Sequence, residues 1–384
     1  MSIGYIFISN GTKPDFIQQE SVEPIGSGSF SHSALWAANE MGWQLHMGIN
    51  RSHPEQIKSK DFDISFYDQH CYRSIFAFSD NLKAYRNLCV YLKSNPQIEV
   101  IHCNTPIGGV VGRLAGRKYN KKVIYTAHGF HFFKGAPLFN RTILKWIEKY
   151  LARYTDVLIT INEEDYQNAL KMHLKENGKV YKISGVGIDL CKFNLKPTHQ
   201  NLMESLGLKA SDFICISLGD LNENKNYSTI IKAIAQAKSK DIHYLICGTG
   251  PLYKELVELA NSLDISDNIH FLGYRSDVID LLSISDCAIV PSLREGLPRT
   301  TMEAMASGLP CVVSDIRGNR DLIDKGKGGY LISPRDADGF ANAITTLIEN
   351  PDLANEMGEY NKQKIKQFDI EIVKNQMLEI FKNV

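Results

Sequence analysis

The chain has 384 residues, of which 43% are hydrophobic and 22% charged, and its 43 Lys and Arg residues balance its 43 Asp and Glu residues. This length is too great for one ordinary core and predicts two domains, and the zero net charge argues against a nucleic-acid partner. No stretch has the roughly 20 apolar residues that a membrane span requires. The eight cysteines form no C-x-x-C pair, so we expect a cytoplasmic protein without a disulfide framework.

Short β-branched runs alternate with helical periodicity along the chain. Helices are predicted at Ser33–Met41, Asn81–Lys93 and Arg141–Arg153, among others. The predicted strands are IGYIFIS, QLHMGIN, EVIHCN, KVIYTAH, DVLITIN, KVYKIS, FICISLG, IHYLIC, NIHFLG, CAIVPS and CVVSD. Such alternation is typical of βαβ units. We expect an α/β protein with two Rossmann-like, doubly wound parallel-sheet domains that face a central cleft at the carboxyl ends of their strands.

The alternation breaks near residues 189–204, where Pro197 interrupts the chain. We therefore predict an N-terminal domain over 1–195 and a C-terminal domain over 196–369. Residues 370–384 form a helical pattern with no obvious place in the second sheet. This last helix is expected to pack back on the first domain.

The segment Arg294–Pro310, REGLPRTTMEAMASGLP, places Glu295 in a loop after a predicted strand and Glu303 inside the helix that follows. Free N–H groups at the start of that helix would favour an anion, with the helix dipole behind it. A nucleoside diphosphate sugar needs such donors for its diphosphate, and carboxylate acceptors for its ribose and sugar hydroxyls. Two solvated glutamates on an ordinary surface helix are the alternative.

The E-x7-E pattern, with Gly-Leu-Pro on both sides, resembles the retaining glycosyltransferases of family 4, which have the GT-B fold. Within that family the segment from Val290 to Ile323 is most similar to bacterial enzymes of capsular, exopolysaccharide or lipid-linked glycan synthesis. The resemblance implies that Glu303 holds the donor ribose and that Glu295 acts at the transferred sugar. We further expect five residues at the start of that helix to bind the donor, namely Gly296, Leu297, Pro298, Arg299 and Thr300.

The family usually carries an Arg and a Lys after the first strand of the second domain. Here the sequence is GDLNENKN, with Lys225 at the Lys position and Asp220 at the Arg position. The resemblance assigns Lys225 a catalytic role at the donor phosphates, from the start of a predicted helix, Asn226–Ala237. Asp220 would repel a phosphate, and Arg299 could supply the missing charge or could be an ordinary surface residue.

Two further motifs of the second domain are assigned by resemblance to the nucleotide. Gly248 and Gly250 shape the turn CGTGPL, which lines the nucleotide side in the family, although duty as a structural turn would also explain them. Tyr274, in FLGYRSD, is a positional expectation for the base. In the first domain, IGSGSFSH offers Gly28 to the donor and Gly26 and Ser27 to the acceptor, and plain loop flexibility is the alternative.

His128 follows a predicted strand at the position where family members often hold a histidine that touches the transferred sugar, so it is expected to be catalytic. His131 is expected at the acceptor. The H-x-x-H spacing of the two lacks a recognisable third ligand, so we expect no metal site. Asp61 and Asp63 form a D-x-D that precedes a short strand, and we interpret them as solvated.

Residues 130–153 carry five Lys or Arg residues and one acid, with aromatic and aliphatic residues between them. A segment of this kind suits the surface of an anionic membrane, where a lipid-linked acceptor would reside. The alternative is that many of its apolar residues, Leu144 and Trp146 among them, belong to the core.

The resemblance predicts a metal-independent, retaining hexosyl- or N-acetylhexosaminyltransferase. It would move a sugar from a UDP-linked donor to a saccharide on undecaprenyl diphosphate, with no cofactor besides this substrate. We see no residue clearly placed as a covalent nucleophile, so front-face attack is expected, with positioning and charge stabilisation as the protein's contribution. A sugar-nucleotide epimerase or hydrolase of the same architecture and a non-catalytic partner remain alternatives. A dehydrogenase is disfavoured, because ISNGTKPD lacks the G-x-G-x-x-G pattern after the first strand.

Overall fold

The computed structural model describes residues 2–11, 31–51, 54, 57, 59, 61–72, 74, 76–194, 199–237 and 241–384. The chain divides into two compact units, Met1–Gly187 with Ile370–Val384, and Ile188–Asp369. The division falls before the predicted position 195/196 because Ile188 already belongs to the second unit. Its N–H group donates to the Phe368 carbonyl oxygen at 3.0 Å, and its side chain lies in that unit's core.

The first unit is built on a parallel sheet of apolar strands, most of them buried. Its strands are β1 (Gly4–Ile8), β2 (Gln44–Ile49), β3 (Ile64–Asp68), β4 (Ile98–Asn104), β5 (Lys122–Ala127), β6 (Val157–Thr160) and β7 (Lys179–Lys182). Its first five helices are α1 (His32–Glu40), α2 (Phe78–Ser94), α3 (Pro106–Tyr119), α4 (Lys145–Ala152, after a π-helical turn Asn140–Leu144) and α5 (Glu163–Ala169). The strand order is β3-β2-β1-β4-β5-β6-β7. Buried parallel strands form near-continuous apolar runs, which is why the sequence pattern identified most of them.

The second unit repeats this plan with a six-stranded parallel sheet. Its strands are β8 (Phe213–Leu218), β9 (Ile242–Cys247), β10 (Ile269–Gly273), β11 (Cys287–Val290), β12 (Cys311–Ser314) and β13 (Gly329–Ile332), in the order β10-β9-β8-β11-β12-β13. Its helices are α6 (His199–Ser205), α7 (Tyr227–Ala237), α8 (Tyr253–Ser262), α9 (Val278–Ser283), α10 (Arg299–Ala306), α11 (Asn319–Leu322), α12 (Ala337–Glu349) and α13 (Pro351–Lys364). Short 3-10 turns lie at Leu190–Asn194, Glu223–Lys225, Ser266–Asn268 and Ile365–Phe368.

The last helix, α14 (Ile370–Phe381), packs against α1 and belongs to the first unit. Phe381 stacks on Trp43 with ring centroids 5.3 Å apart and also contacts Tyr5 of β1. Gln376 accepts a hydrogen bond from the Ser184 N–H group at 2.9 Å. Among the described residues, no helix is long and apolar enough to cross a membrane.

Each sheet has a point where its strand order reverses, between β1 and β4 in the first unit and between β8 and β11 in the second. Ligands of open α/β sheets bind outside the carboxyl ends of the strands at such points. The loops to consider are therefore those that follow β8 and β11 in the second unit and β1, β4 and β5 in the first.

Candidate active site

In the second unit the loops after β8 and β11 are joined by hydrogen bonds. The Leu293 N–H group donates to the Asn224 carbonyl oxygen at 2.8 Å, and Asn224 Nδ2 donates to the Arg294 carbonyl oxygen at 3.0 Å. Asn226 Nδ2 adds a bond to the Pro291 carbonyl oxygen at 3.0 Å. This clamp fixes the turn that carries Lys225 beside the loop that carries Glu295.

Lys225 does not open a helix, contrary to the sequence-based prediction. It ends the 3-10 turn Glu223–Lys225, and α7 starts only at Tyr227, because Asn226 adopts a left-handed conformation with φ of 57°. The Lys225 ammonium lies 2.9 Å from Glu295 Oε1, and the two side chains are 20% and 17% exposed. Two predicted catalytic residues of distant sequence position thus form a largely buried ion pair.

Helix α10 begins at Arg299, with Pro298 as its N-cap residue in an extended conformation. Thr301, Met302, Ala304 and Met305 are buried and anchor the helix in the core. The first N–H groups of a helix have no partner within it and can bind an anion. Gly296, Leu297 and Thr300 lie at this same end of α10, and the buried Thr300 Oγ1 has no hydrogen-bond partner among the described residues.

Arg299 and Glu303 lie one turn apart on α10, and Arg299 Nε donates to Glu303 Oε1 at 2.9 Å. Burial raises the pKa of the Glu303 carboxyl above its ordinary value, while the Arg299 guanidinium acts in the opposite direction. Both glutamates of the E-x7-E motif therefore pair with a cation, Glu295 with Lys225 and Glu303 with Arg299.

Two residues that the sequence analysis missed support the Glu295 loop. Arg317, which is 5% exposed, donates from Nε to the Glu295 carbonyl oxygen at 3.2 Å. Gly318 has φ of 79°, and a Cβ there would lie 2.3 Å from the Gly296 carbonyl oxygen. Both follow β12, which pairs with β11 in parallel, so the loops after the two strands lie at the same edge of the sheet. That topology was the signal that could have identified them.

The glycines of the CGTGPL turn have a structural explanation. A Cβ on Gly248 would lie 1.9 Å from the Gly219 carbonyl oxygen, and one on Gly250 would lie 2.4 Å from that of Leu221. The turn thus packs its backbone directly on the loop after β8. Their contact with a donor stays a prediction, as does that of the exposed Tyr274.

In the first unit, His128 follows β5, and both of its ring nitrogens are shielded from solvent. Burial lowers the pKa of His128 to about 4, so its imidazole is neutral at pH 7. It shares a small cavity with His102, Asn104 and Thr126. His102 is hydrogen-bonded to the Tyr5 hydroxyl at 2.6 Å and to Thr126 Oγ1 at 2.8 Å, and burial lowers its pKa to about 3.

The loop after β5 is held by a carboxylate that the sequence analysis overlooked. Asp165 Oδ2 accepts a hydrogen bond from the Phe130 N–H group at 3.1 Å and another from Asn162 Nδ2 at 2.8 Å. The side chain of Asn162 in turn caps α5 by accepting from the Asp165 N–H group. The N-x-x-D spacing before a helix was the available signal.

His131 lies apart from the His128 cavity and lines a larger apolar groove together with Phe132. Within the described ranges, no three His, Cys, Asp or Glu side chains are grouped as metal ligands, and Asp61 and Asp63 are exposed. The predicted residues Gly26, Ser27 and Gly28 lie outside the described residues.

Two family models match the chain. Residues 198–364 match glycosyl transferases group 1, and residues 47–184 match glycosyltransferase family 4. The Bacillus subtilis (strain 168) protein EpsD, named as a glycosyltransferase, is 35% identical over 89% of this chain and 90% of its own length. An Escherichia coli enzyme named UDP-Gal:alpha-D-GlcNAc-diphosphoundecaprenol alpha-1,3-galactosyltransferase is 31% identical over 72% of this chain and 73% of its own length.

Solved structures share the fold at lower identity. Anabaena HepE, crystallised with UDP, is 19% identical, covers 100% of both chains and superposes with a TM-score of 0.79. Sucrose-phosphate synthase from Thermosynechococcus elongatus is 20% identical, covers 99% of this chain and 98% of its own, and has a TM-score of 0.80.

Proposed function

Because this chain belongs to glycosyltransferase family 4 and has the GT-B fold, we propose that it transfers a hexose or an N-acetylhexosamine from a UDP-linked donor, with retention, to a saccharide on undecaprenyl diphosphate. The observation that carries the proposal is the grouping of Lys225, Glu295 and the start of α10 at the point where the second sheet reverses its strand order. The substrates in the name of the E. coli relative support both the nucleotide and the carrier lipid.

In this proposal the second unit binds the donor. The N–H groups at the start of α10 and the Lys225 ammonium bind the diphosphate, because both place positive charge at the switch point. Glu303 accepts hydrogen bonds from the ribose, and Glu295 accepts from the transferred sugar. Since Glu295 accepts a hydrogen bond from Lys225, a diphosphate that binds the Lys225 ammonium exchanges one partner of Lys225 for another.

The sugar transfer then proceeds by front-face attack. The bond between the anomeric carbon and the diphosphate oxygen breaks, the acceptor oxygen bonds to that carbon on the same face, and the acceptor proton passes to the departing diphosphate. Lys225 and α10 stabilise the charge that develops on the diphosphate, which is the kind of preorganised electrostatic stabilisation that lowers such barriers. They supply the charge that a divalent metal supplies in other enzymes, so the reaction is metal-independent and uses no cofactor.

The first unit binds the acceptor. His128 is uncharged at neutral pH because burial lowers its pKa to about 4, so it positions the transferred sugar as a neutral hydrogen-bond partner. His131, Gly26 and Ser27 belong to the acceptor side, and Gly28 to the donor.

A peripheral contact with the inner face of the cell membrane completes the proposal. Trp146 and Tyr150 are exposed on α4 and stack with ring centroids 5.6 Å apart, and the exposed Lys149 and Arg153 accompany them. Trp146 is thus not a core residue, although Phe130 and Phe132 of the same segment are buried. Aromatic rings and basic heads are suited to an anionic interface, where the lipid-linked acceptor resides.

The test is an assay of UDP-, GDP- and ADP-hexoses and N-acetylhexosamines with saccharides carried on polyprenyl diphosphate, followed by mass spectrometry and by NMR of the new linkage. We expect transfer from one UDP-sugar with retained anomeric configuration, unchanged by a chelator and lost in Glu295→Gln. Donor isomerised or hydrolysed without an acceptor requirement would favour the epimerase or hydrolase. Donor binding without transfer across the whole panel would favour a non-catalytic partner.

A further inference from the structure

The first unit contains an open apolar groove of about 1070 Å³ between α2, α3 and the segment 131–148. This volume is just above the roughly 300–1,000 Å³ typical of small-molecule sites. Phe78, Leu82 and Tyr85 line it from α2, and Val110 and Leu114 line it from α3. The walls of the groove are therefore formed by three structural elements and not by one loop.

The position of the groove relates it to the acceptor side. His131 lies in its wall, three residues after His128. Pro106 also lies in it as the first residue of α3, two residues after the end of β4. The lining continues along α3 as far as Lys118, which at 1.5 Å per residue is a path of roughly 18 Å. The groove thus starts at the carboxyl edge of the sheet and leads away from it.

The surface around the groove is unusually apolar. Among the described residues, most exposed large apolar side chains fall in two segments, 76–82 and 138–150, that border it. Surface patches of this kind are rare unless they bind something. The one carboxylate in the wall, Glu148, is neutralised by the buried Arg113, whose Nη1 lies 2.8 Å from Glu148 Oε2.

A smaller pocket of about 570 Å³ lies on the other side of Phe132, which lines both cavities. It contains Lys134, Arg141 and Lys145 against one acid, Glu164, whose Oε1 accepts from the Lys134 N–H group at 3.0 Å. In the described structure none of these three cations forms an ion pair within 4.0 Å. An apolar groove thus adjoins a cationic pocket, which is the complement of a molecule with a long hydrocarbon chain and an anionic head.

We propose that the groove holds the isoprenoid chain of the acceptor's carrier lipid and that the cationic pocket holds its diphosphate. The assignment rests on the proposed function, because the carrier is the amphipathic anion that a lipid-linked transfer requires. The assignment says more than that the protein is attracted to a membrane, since the isoprenoid chain of one lipid leaves the bilayer and occupies a defined groove.

The test measures binding without turnover, by calorimetric titration of the full chain with inorganic diphosphate and with isopentenyl, farnesyl and geranylgeranyl diphosphates below their critical micelle concentrations. We expect affinity to rise with chain length, by at least tenfold from the isopentenyl to the geranylgeranyl compound. Leu82→Asp should remove this rise and leave the affinity for inorganic diphosphate unchanged. Val90→Asp is the matched control, because Val90 is on the same helix, is 66% exposed against 47% for Leu82, and lies outside the groove.

The head pocket has its own pair of variants. The double variant Arg141→Gln, Lys145→Gln should weaken the binding of inorganic diphosphate and of geranylgeranyl diphosphate alike, by at least tenfold. Lys149→Gln is the control, because Lys149 lies four residues further along the same segment and outside the pocket, and it should weaken the binding of neither compound. UDP affinity, measured in every variant, should stay constant.

Four results would overturn the assignment: affinity independent of chain length, equal losses in Leu82→Asp and Val90→Asp, equal binding of a short-chain phosphatidylglycerol, or a dimer in solution that Leu82→Asp dissociates. Failure of the proposed function is distinguishable. Absent transfer in a protein that still binds geranylgeranyl diphosphate through Leu82 would refute the enzyme assignment and leave the groove assignment intact.

Discussion

Lys225 Nζ lies 2.9 Å from Glu295 Oε1, although the two residues are seventy positions apart in the sequence. The proposed mechanism assigns the first to the donor diphosphate and the second to the transferred sugar. In the structure the two side chains form an ion pair with each other, so the diphosphate of a donor must compete with Glu295 for Lys225.

This competition predicts effects of opposite sign on UDP affinity. Lys225→Ala should weaken UDP binding by about tenfold or more, since a hydrogen bond to a charged group contributes roughly 1.5–3 kcal/mol. Glu295→Gln should leave UDP binding equal or tighter, because it frees the ammonium, while it abolishes transfer. Calorimetric titration with UDP measures both.

Lys232→Ala, an exposed lysine of α7, is the control and should change nothing. If Glu295→Gln weakens UDP binding as much as Lys225→Ala does, the ion pair serves to hold the loops in place and the proposed exchange of partners is wrong.

The Arg299–Glu303 pair predicts a dependence of donor affinity on pH. Glu303 must be ionised to accept from the ribose, and burial raises its pKa while Arg299 lowers it. Arg299→Ala should therefore move the pH at which donor affinity falls to a higher value. If Arg299 also contacts the diphosphate, UDP affinity should drop at pH 8 as well.

A titration with UDP and with the UDP-sugar between pH 5 and 8 separates these roles, with Lys254→Ala as an exposed control from the same unit. Unchanged UDP affinity at pH 8 would eliminate Arg299 as the replacement for the cation that Asp220 displaces.

Gly318 predicts that the shape of the Glu295 loop depends on its contact with the loop after β12. Gly318→Ala should destabilise the second unit by more than the roughly 1 kcal/mol typical of a side chain at positive φ, because its Cβ would lie 2.3 Å from the Gly296 carbonyl oxygen. Donor affinity should fall with it, since Gly296 adjoins the start of α10.

Gly326→Ala is the matched control, with nearly the same φ of 78° but no atom within 4 Å of the added Cβ. Urea unfolding and UDP titration of both variants are the measurements. Equal destabilisation and equal donor affinity in the two would show that the Gly318 contact has no role in shaping the site.

The sequence predicted the α/β class, the parallel sheets and most strands because buried parallel strands are continuous apolar runs. It missed β13, whose four residues follow Gly328 and pair only at the edge of the sheet with β12. A four-residue run between Gly328 and Ser333 carries too little periodicity to be distinguished from a loop.

The residues of the candidate site likewise fall into those that the sequence identified and those that it missed. Glu295 and Glu303 were identifiable because a short motif carried them on one loop and helix. Arg317 and Asp165 were not, since each acts through a tertiary hydrogen bond, Arg317 to the Glu295 backbone and Asp165 to the Phe130 backbone. The ion pairs of Lys225 and Arg299 likewise depend on side-chain conformations, which residue spacing alone does not determine.

The exposed face of α4 predicts binding to anionic vesicles. Lys149→Gln combined with Arg153→Gln should weaken binding to phosphatidylglycerol vesicles by roughly 2 kcal/mol, at about 1 kcal/mol per basic residue near the surface. Trp146→Ala should weaken it further at high salt, where the apolar contact remains. Flotation at two salt concentrations measures both effects.

Lys171→Gln, an exposed lysine elsewhere in the first unit, is the control, and phosphatidylcholine vesicles are the lipid control. Binding that is the same in all variants would exclude this face as the membrane contact.

The two buried histidines of the first unit predict that it loses stability as the pH falls below about 6.5. His128 and His102 have pKa values of about 4 and about 3, below the ordinary value of 6.5. Between these values the unfolded chain binds protons that the folded chain does not, so the free energy of unfolding decreases as the pH falls, by up to about 1.4 kcal/mol per pH unit for each group. The contribution of the two histidines to the free energy of unfolding is complete above pH 6.5.

Urea unfolding of the wild type and of His128→Asn at pH 7, 6, 5 and 4.5 tests this. The free energy of unfolding should fall less steeply with pH in His128→Asn, whereas His173→Asn, at an exposed position, should follow the wild type. Parallel curves for His128→Asn and the wild type would mean that His128 is protonated in the folded protein, and its proposed role as a neutral hydrogen-bond partner of the sugar would fail.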